Sequence, residues 1–307
     1  MSVVSRLRRT WTTLVGADLP VASPAPTDPA ADAFLEWVPP GHFYSIVPSP
    51  DDVSRAKRRQ AAAGPQIPGV TLDPARLVAS FAERAGVVRA WDGGSSGEGR
   101  YRAGNGAFDI GDASMLRAAI LLHRPSRIVE VGSGWSSACT LDTLAEAGLD
   151  TEVTFIEPYP ANLMARLRPA DHERVEIIAE PLQDVATAVV ESLVADDILF
   201  IDSSHVFKPG SDVDDYFARV LPAVNVGVHV HIHDIFWPFE VPGGWLDEGR
   251  AWNEGHALRN FLSGNRDWEI TVFNDYFGRF HRDVIQELLP QMLDNVGGSI
   301  WLRRLAS

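Results

Sequence analysis

Ile128-Val129-Glu130-Val131-Gly132-Ser133-Gly134 is the stretch that decides the fold. An apolar run that ends in Gly-x-Gly and leads into a helical pattern reads as the opening of a nucleotide-binding βαβ unit. Gly132 and Gly134 allow a tight turn and close approach of a ligand, and the helix that follows presents unpaired N–H groups. The next strand ends in Phe155-Ile156-Glu157-Pro158, where the Glu157 carboxylate can accept hydrogen bonds from a ribose diol.

The departures from a dinucleotide fingerprint are equally informative. Ser137 stands where the third glycine would be, Trp135 makes the loop bulky, and Glu130 lies inside the strand just before the first glycine. Such a loop does not cradle a pyrophosphate. It suits a nucleoside that carries a cationic amino-acid end, which is S-adenosylmethionine (SAM). The residues expected to hold it are Glu130, Gly132, Ser133, Gly134, Ser136, Glu157, Pro158, Gln183, Asp184 and Asp202.

From Asp112 onward the pattern alternates regularly. Strands are expected at 127–132, 152–157, 175–179, 197–202, 227–234, 268–273 and 299–304. Helices are expected at 113–123, 136–148, 161–168, 183–193, 211–221 and 250–262. Alternating elements with short connections predict an α/β fold, a doubly wound and mostly parallel seven-stranded sheet. No long helix is expected between the last two strands, so they should pair as an antiparallel hairpin at the sheet edge. The expected organisation is a flexible N-terminal segment over 1–34, an N-terminal helical extension or lid over 35–105, and a ligand-binding domain over 106–307.

Ligands of such sheets bind beyond the carboxyl ends of the strands. Strand four ends in Asp202-Ser203-Ser204-His205 and strand five in His233-Asp234. Asp202 and Asp234 could orient an acceptor oxygen, directly or through a divalent ion, and His205 could take its proton. The candidate metal set is Asp202, His233 and Asp234. His229 and His231 share a strand face with His233 but lie deeper, where histidine is commonly a core residue. An aromatic, proline-rich loop from Phe236 to Trp245 reads as a lid over the site. Candidate acceptor contacts are His42, Tyr44, Trp237, Trp252 and Glu254.

Composition narrows the partners. With 27 basic against 41 acidic residues the net charge is −14, which disfavours nucleic acid and anionic membranes. No apolar run is long enough to span a bilayer, and the basic start, Arg6-Leu7-Arg8-Arg9, lacks the features of a secretory signal. The single cysteine, Cys139, fits a reducing compartment, so a cytoplasmic location is expected. No motif specifies the oligomeric state, and a homo-oligomer is compatible with the chain.

The segments 129–137, 155–160, 200–205, 231–236 and 249–254 resemble those of bacterial class I SAM-dependent methyltransferases, over roughly residues 39–280. A more distant likeness is to sugar and catechol O-methyltransferases. That likeness implies a magnesium ion held by acids at the ends of strands four and five, with an Asp-x-x-His element matching Asp202 and His205. The expectation is a SAM-dependent O-methyltransferase acting on a small hydroxylated molecule such as a sugar, glycan precursor or natural product. The alternatives are a non-catalytic SAM-binding protein and a metal-dependent hydrolase or oxidoreductase using His231, His233 and Asp234.

Overall fold

The computed structural model describes residues 38–95 and 97–306. The segment 1–34, with its basic start, lies outside them. Contacts divide the chain into two units, Met1–Ser49 and Pro50–Ser307. Within the first, residues 38–49 form turns: the Tyr44 amide donates to His42 Nδ1 at 3.2 Å, and Phe43 is 78% exposed.

The second unit is built on a seven-stranded sheet ordered β3-β2-β1-β4-β5-β7-β6. The strands are β1 Arg127–Val131, β2 Glu152–Ile156, β3 Val175–Ile178, β4 Ile198–Ile201, β5 His229–Ile232, β6 Trp268–Phe273 and β7 Ile300–Arg304. The first five pair in parallel, and β7 inserts antiparallel between β5 and β6. Every residue of β4 and β5 is buried. β4 reads as an unbroken apolar run, as a strand covered on both faces does, while β5 carries His229 and His231 into the interior.

Helix α1 spans Pro50–Ala62, α2 Pro74–Val88, α3 Ile110–His123 and α4 Trp135–Ala147. Asp73 starts α2 by accepting from the amides of Ala75 and Arg76, and Pro74 fits the first turn. Leu77, Phe81, Ala85 and Val88 then enter the same apolar core as the sheet. Phe81 stacks on Phe277 at 4.5 Å. Residues 50–105 therefore build the wall of the sheet domain. Arg100, held by the carboxylates of Asp142 and Asp171, fastens the loop before α3 to that domain.

One local expectation is corrected. The helix expected over 183–193 is only a 3₁₀ turn, Leu182–Asp184, and one helical turn, Ala188–Glu191. The last two strands pair antiparallel at the sheet edge as expected, with only short helices between them, at Asn274–Phe280 and Arg282–Leu288. Tyr276 and Phe277 from the first of these are fully buried, so tertiary packing stabilises helices too short to stand alone.

Candidate active site

The glycine loop ties the ends of three strands together. Gly132 has φ +77, and a Cβ there would lie 1.9 Å from the carbonyl oxygen of Asp202, so only glycine fits between the tips of β1 and β4. The amide of Asp202 donates to Val131 O at 2.8 Å, and that of Gly132 to Ile156 O at 3.0 Å. Glu157 accepts from the amides of Ser133 at 3.0 Å and Tyr159 at 2.8 Å, so it braces the loop. Around Gly134 the space is open, as a ligand-facing turn requires.

Glu130 is fully buried. Its Oε1 accepts from Ser136 at 2.6 Å and Ser137 at 2.7 Å, while Oε2 has no protein partner. Burial pushes its carboxyl up to about 8, against the pull of the two serine hydroxyls. Glu130 thus latches the start of α4 to β1. Gln183 donates to Gly210 O at 2.8 Å, Asp184 is exposed, and Pro158 is half-buried behind Glu157.

The tips of β4 and β5 carry the charged cluster. His205 is buried, with Nδ1 2.7 Å from Glu254 Oε2 and Nε2 3.3 Å from Asp202 Oδ1 and 3.7 Å from Asp234 Oδ2. Burial alone would strip its proton, but the carboxylates of Asp202 and Glu254 outweigh that and hold its pKa well above the ordinary value. Asp202 is also raised by burial, yet the imidazoles of His233 and His205 bring it down to about 2. Burial lifts Asp234, with His233 and His205 opposing. His233 Nε2 lies 3.6 Å from Asp234 Oδ1; burial lowers its pKa but Asp234, Asp202 and Asp112 raise it further. His231 is sealed against Phe200, with ring centroids 4.1 Å apart, as a core histidine.

Glu254 corrects its expected place among acceptor contacts. It is 2% exposed and accepts from Tyr216 Oη at 2.7 Å and Ser203 Oγ at 2.9 Å, as well as facing His205. It starts helix α5, Glu254–Leu262, so its first turn delivers a carboxylate behind the imidazole. The spacing between residues 205 and 254 carried no signal of this pairing, although a carboxylate behind an imidazole is a general arrangement of base and orienter.

Trp237 is likewise corrected. It is 1% exposed, packs against Phe273 and Tyr276 and donates from Nε1 to Gly64 O at 3.0 Å, so it is core. The first half of the expected lid is interior, because Ile235, Trp237 and Phe239 are all buried. The half near the site is Trp245, Arg250 and Trp252. The Arg250 guanidinium lies 4.3 Å from the Trp245 ring and 5.1 Å from that of Trp252, and Trp252 packs on His205 at 4.3 Å. His42 and Tyr44 belong to the other unit.

The sheet order, with its antiparallel β7 beside β5 and a glycine loop after β1, is that of a class I methyltransferase. A family described as a methyltransferase domain matches residues 129–235. An uncharacterised protein of Archaeoglobus fulgidus is 32% identical over 162 residues, 50% of this chain and 73% of the relative. Solved structures with a similar fold include the O-methyltransferase TomG of Streptomyces achromogenes, in complex with SAM. It is 17% identical, covers 82% of this chain and 96% of its own, and has a TM-score of 0.42. Another is a putative caffeoyl-CoA O-methyltransferase of Staphylococcus aureus, 15% identical over 71% and 91% of the two chains, with a TM-score of 0.44. The chain belongs to the class I methyltransferase family and is a SAM-dependent methyltransferase. No helix among the described residues is long and apolar enough to cross a membrane.

Proposed function

We propose that the protein transfers a methyl group from SAM to a hydroxyl of a small molecule, with His205 as general base and Glu254 as the residue that positions it. The observation that carries this reading is the line Glu254–His205–Asp202, whose far end abuts Gly132 of the glycine loop. A proton acceptor and the cofactor loop are thereby held within one rigid corner of the sheet.

The residues suit SAM. There is open space at Gly134, and the buried Glu130, two residues before the first glycine, keeps an Oε2 without a protein partner. Ser133, Gly134, Ser136, Glu157, Pro158, Gln183, Asp184 and Asp202 complete the set we assign to it. SAM supplies an electrophilic methyl on a sulfonium. The protein aligns the acceptor oxygen with that methyl and excludes water. With SAM bound, Nε2 of His205 would take the hydroxyl proton as the acceptor oxygen bonds the methyl carbon and the sulfonium sulfur leaves, while the Nδ1 proton stays on the ring and is donated to Glu254. Asp202 and Asp234 hold the resulting imidazolium. The ring of Trp252, with Arg250 and Trp245 beyond it, offers a flat wall for a sugar or aromatic ring.

Magnesium assistance through Asp202, His233 and Asp234 is the finer alternative. The donor set fits it poorly, because His205 already lies between the two carboxylates as their countercharge and His233 presents nitrogen, whereas magnesium prefers oxygen. The acidic surface supports a small-molecule acceptor over nucleic acid, and we propose a cytoplasmic setting.

Calorimetry with S-adenosylhomocysteine and NAD, followed by methyl-transfer assays on hydroxylated sugars and phenols, tests the proposal. We expect homocysteine-nucleoside binding, none for NAD, and loss of transfer but not of binding in His205→Ala. Transfer at the wild-type rate by His205→Ala would overturn the assignment.

A further inference from the structure

At the opposite end of the sheet, three side chains gather that the methyl-transfer site does not use. His229 is the first residue of β5, Asp196 precedes β4, and His123 ends α3. The His123 and His229 rings stack with centroids 3.7 Å apart. Asp196 Oδ1 lies 3.5 Å from His229 Nε2 and 3.8 Å from His123 Nδ1, and one ligand atom from each residue falls within 4.8 Å of the others.

These separations are too long for hydrogen bonds. They are close to the ligand–ligand spacing of about 3.3–3.4 Å expected around a tetrahedral ion with metal–nitrogen bonds of about 2.0–2.1 Å. Both imidazoles also aim at the same carboxylate oxygen. His229 is 3% exposed, yet neither of its ring nitrogens has a hydrogen-bond partner, and Nε2 of His123 has none. Buried polar atoms without partners are uncommon in native proteins and call for an occupant.

We propose that His123, Asp196 and His229 bind one borderline transition-metal ion, of which Zn²⁺ is the type, at the amino edge of the sheet. Two imidazoles and one carboxylate are a donor set suited to zinc, cobalt or nickel and poor for magnesium or calcium. Burial lowers the proton affinity of both rings, with the guanidinium of Arg84 adding to this, so they stand neutral, as metal ligands must. Arg84 and Arg303 oppose any cation here, so binding must rest on the nitrogen lone pairs and the Asp196 carboxylate rather than on the local field. Asp196, whose side chain is 56% exposed, opens the site to solvent and leaves room for water as a fourth ligand. The ion would tie α3, the loop before β4 and the start of β5 together.

The test uses the full-length protein, stripped with a chelator and titrated with Zn²⁺ by calorimetry and with Co²⁺ by visible absorption. We expect one ion per chain, cobalt bands of low-symmetry coordination, and a rise in Tm of several degrees with Zn²⁺. Asp196→Asn and His123→Ala should each weaken binding at least tenfold and abolish the Tm rise, while Asp202→Asn with Asp234→Asn should leave both intact. Asp196→Asn carries the test if the histidine variant fails to fold, since Asp196 lies at the surface. Absence of stoichiometric Zn²⁺ binding, its persistence in Asp196→Asn, or its loss in the strand-tip double variant would overturn the proposal.

Discussion

The carboxylate of Glu254 lies 2.7 Å from Nδ1 of His205, and both groups are almost fully buried. An imidazole pinned in this way has one tautomer when neutral, with Nδ1–H toward Glu254 and Nε2 free to accept. Replacing Glu254 with Gln keeps the shape but removes the charge. The His205 pKa should fall, because the Glu254 charge that helps to raise it is gone. The rate–pH profile should move to lower pH, and kcat should drop by about tenfold or more, with little change in KM for SAM. An unchanged midpoint in Glu254→Gln would remove the positioning role.

The pH profile of the parent enzyme has a defined sign. His205 must be neutral to act, and its folded pKa is raised, so turnover should climb through a midpoint well above 6.5 and then level. His205→Ala should lose roughly 10²-fold in kcat, the order that a positioned base supplies. A midpoint at or below 6.5 for wild type would identify a different base.

Glu130 links pH to stability. Its carboxyl is ordinarily near 4.5 and stands at about 8 when folded, so the folded chain keeps a proton that the unfolded chain has released. Stability from this group is full below 4.5 and is lost as pH rises through 8. Glu130→Gln, which retains an acceptor for Ser136 and Ser137, should have a Tm that exceeds the parent's by several degrees at high pH and converges with it at low pH. Parallel Tm–pH curves for the two proteins would show that Glu130 is ionised in the fold.

Gly132 tolerates no side chain. Gly132→Ala should destabilise the protein by about 2–4 kcal/mol, since strained backbone and a displaced Asp202 carbonyl combine. Denaturant unfolding together with calorimetry on S-adenosylhomocysteine would measure both losses. Wild-type behaviour in both would mean that β1 and β4 can separate freely.

Chelation separates the two ends of the sheet. We expect exhaustive treatment with EDTA to leave kcat within about twofold at any temperature below the Tm of the stripped protein, and to lower the Tm itself. Loss of turnover that Mg²⁺ restores would instead place an ion at Asp202 and Asp234.

The sheet was legible because β1, β2 and β4 are short, largely apolar runs closed by Gly132, Glu157 and Asp202, a pattern that burial in a parallel sheet favours. The cluster Asp202, His205 and Asp234 was legible because parallel strands deliver their carboxyl ends to one edge. Glu254 was not, since it comes from a helix start far along the chain and its role depends on the depth at which α5 docks. Trp237 was misjudged for a related reason. An aromatic loop after a strand reads alike whether it covers a ligand or the helix Asn274–Phe280, and no long apolar stripe announced that helix. His123 and His229 met only through the packing of α3 under β5.

His205 and Asp234 both sit at positive φ, 61° and 55°. A left-handed conformation in residues other than glycine costs on the order of 1–3 kcal/mol each, and it persists here where two neighbouring strands turn toward the same point. Selection for heat resistance alone would press on these positions from the opposite direction to selection for turnover. At residue 234, Asn or Gly would suit the backbone better than Asp, so laboratory lineages bred only for thermal survival should drift there and lose catalysis. Lineages bred for rate should keep the acid and make up the loss of stability elsewhere in the molecule.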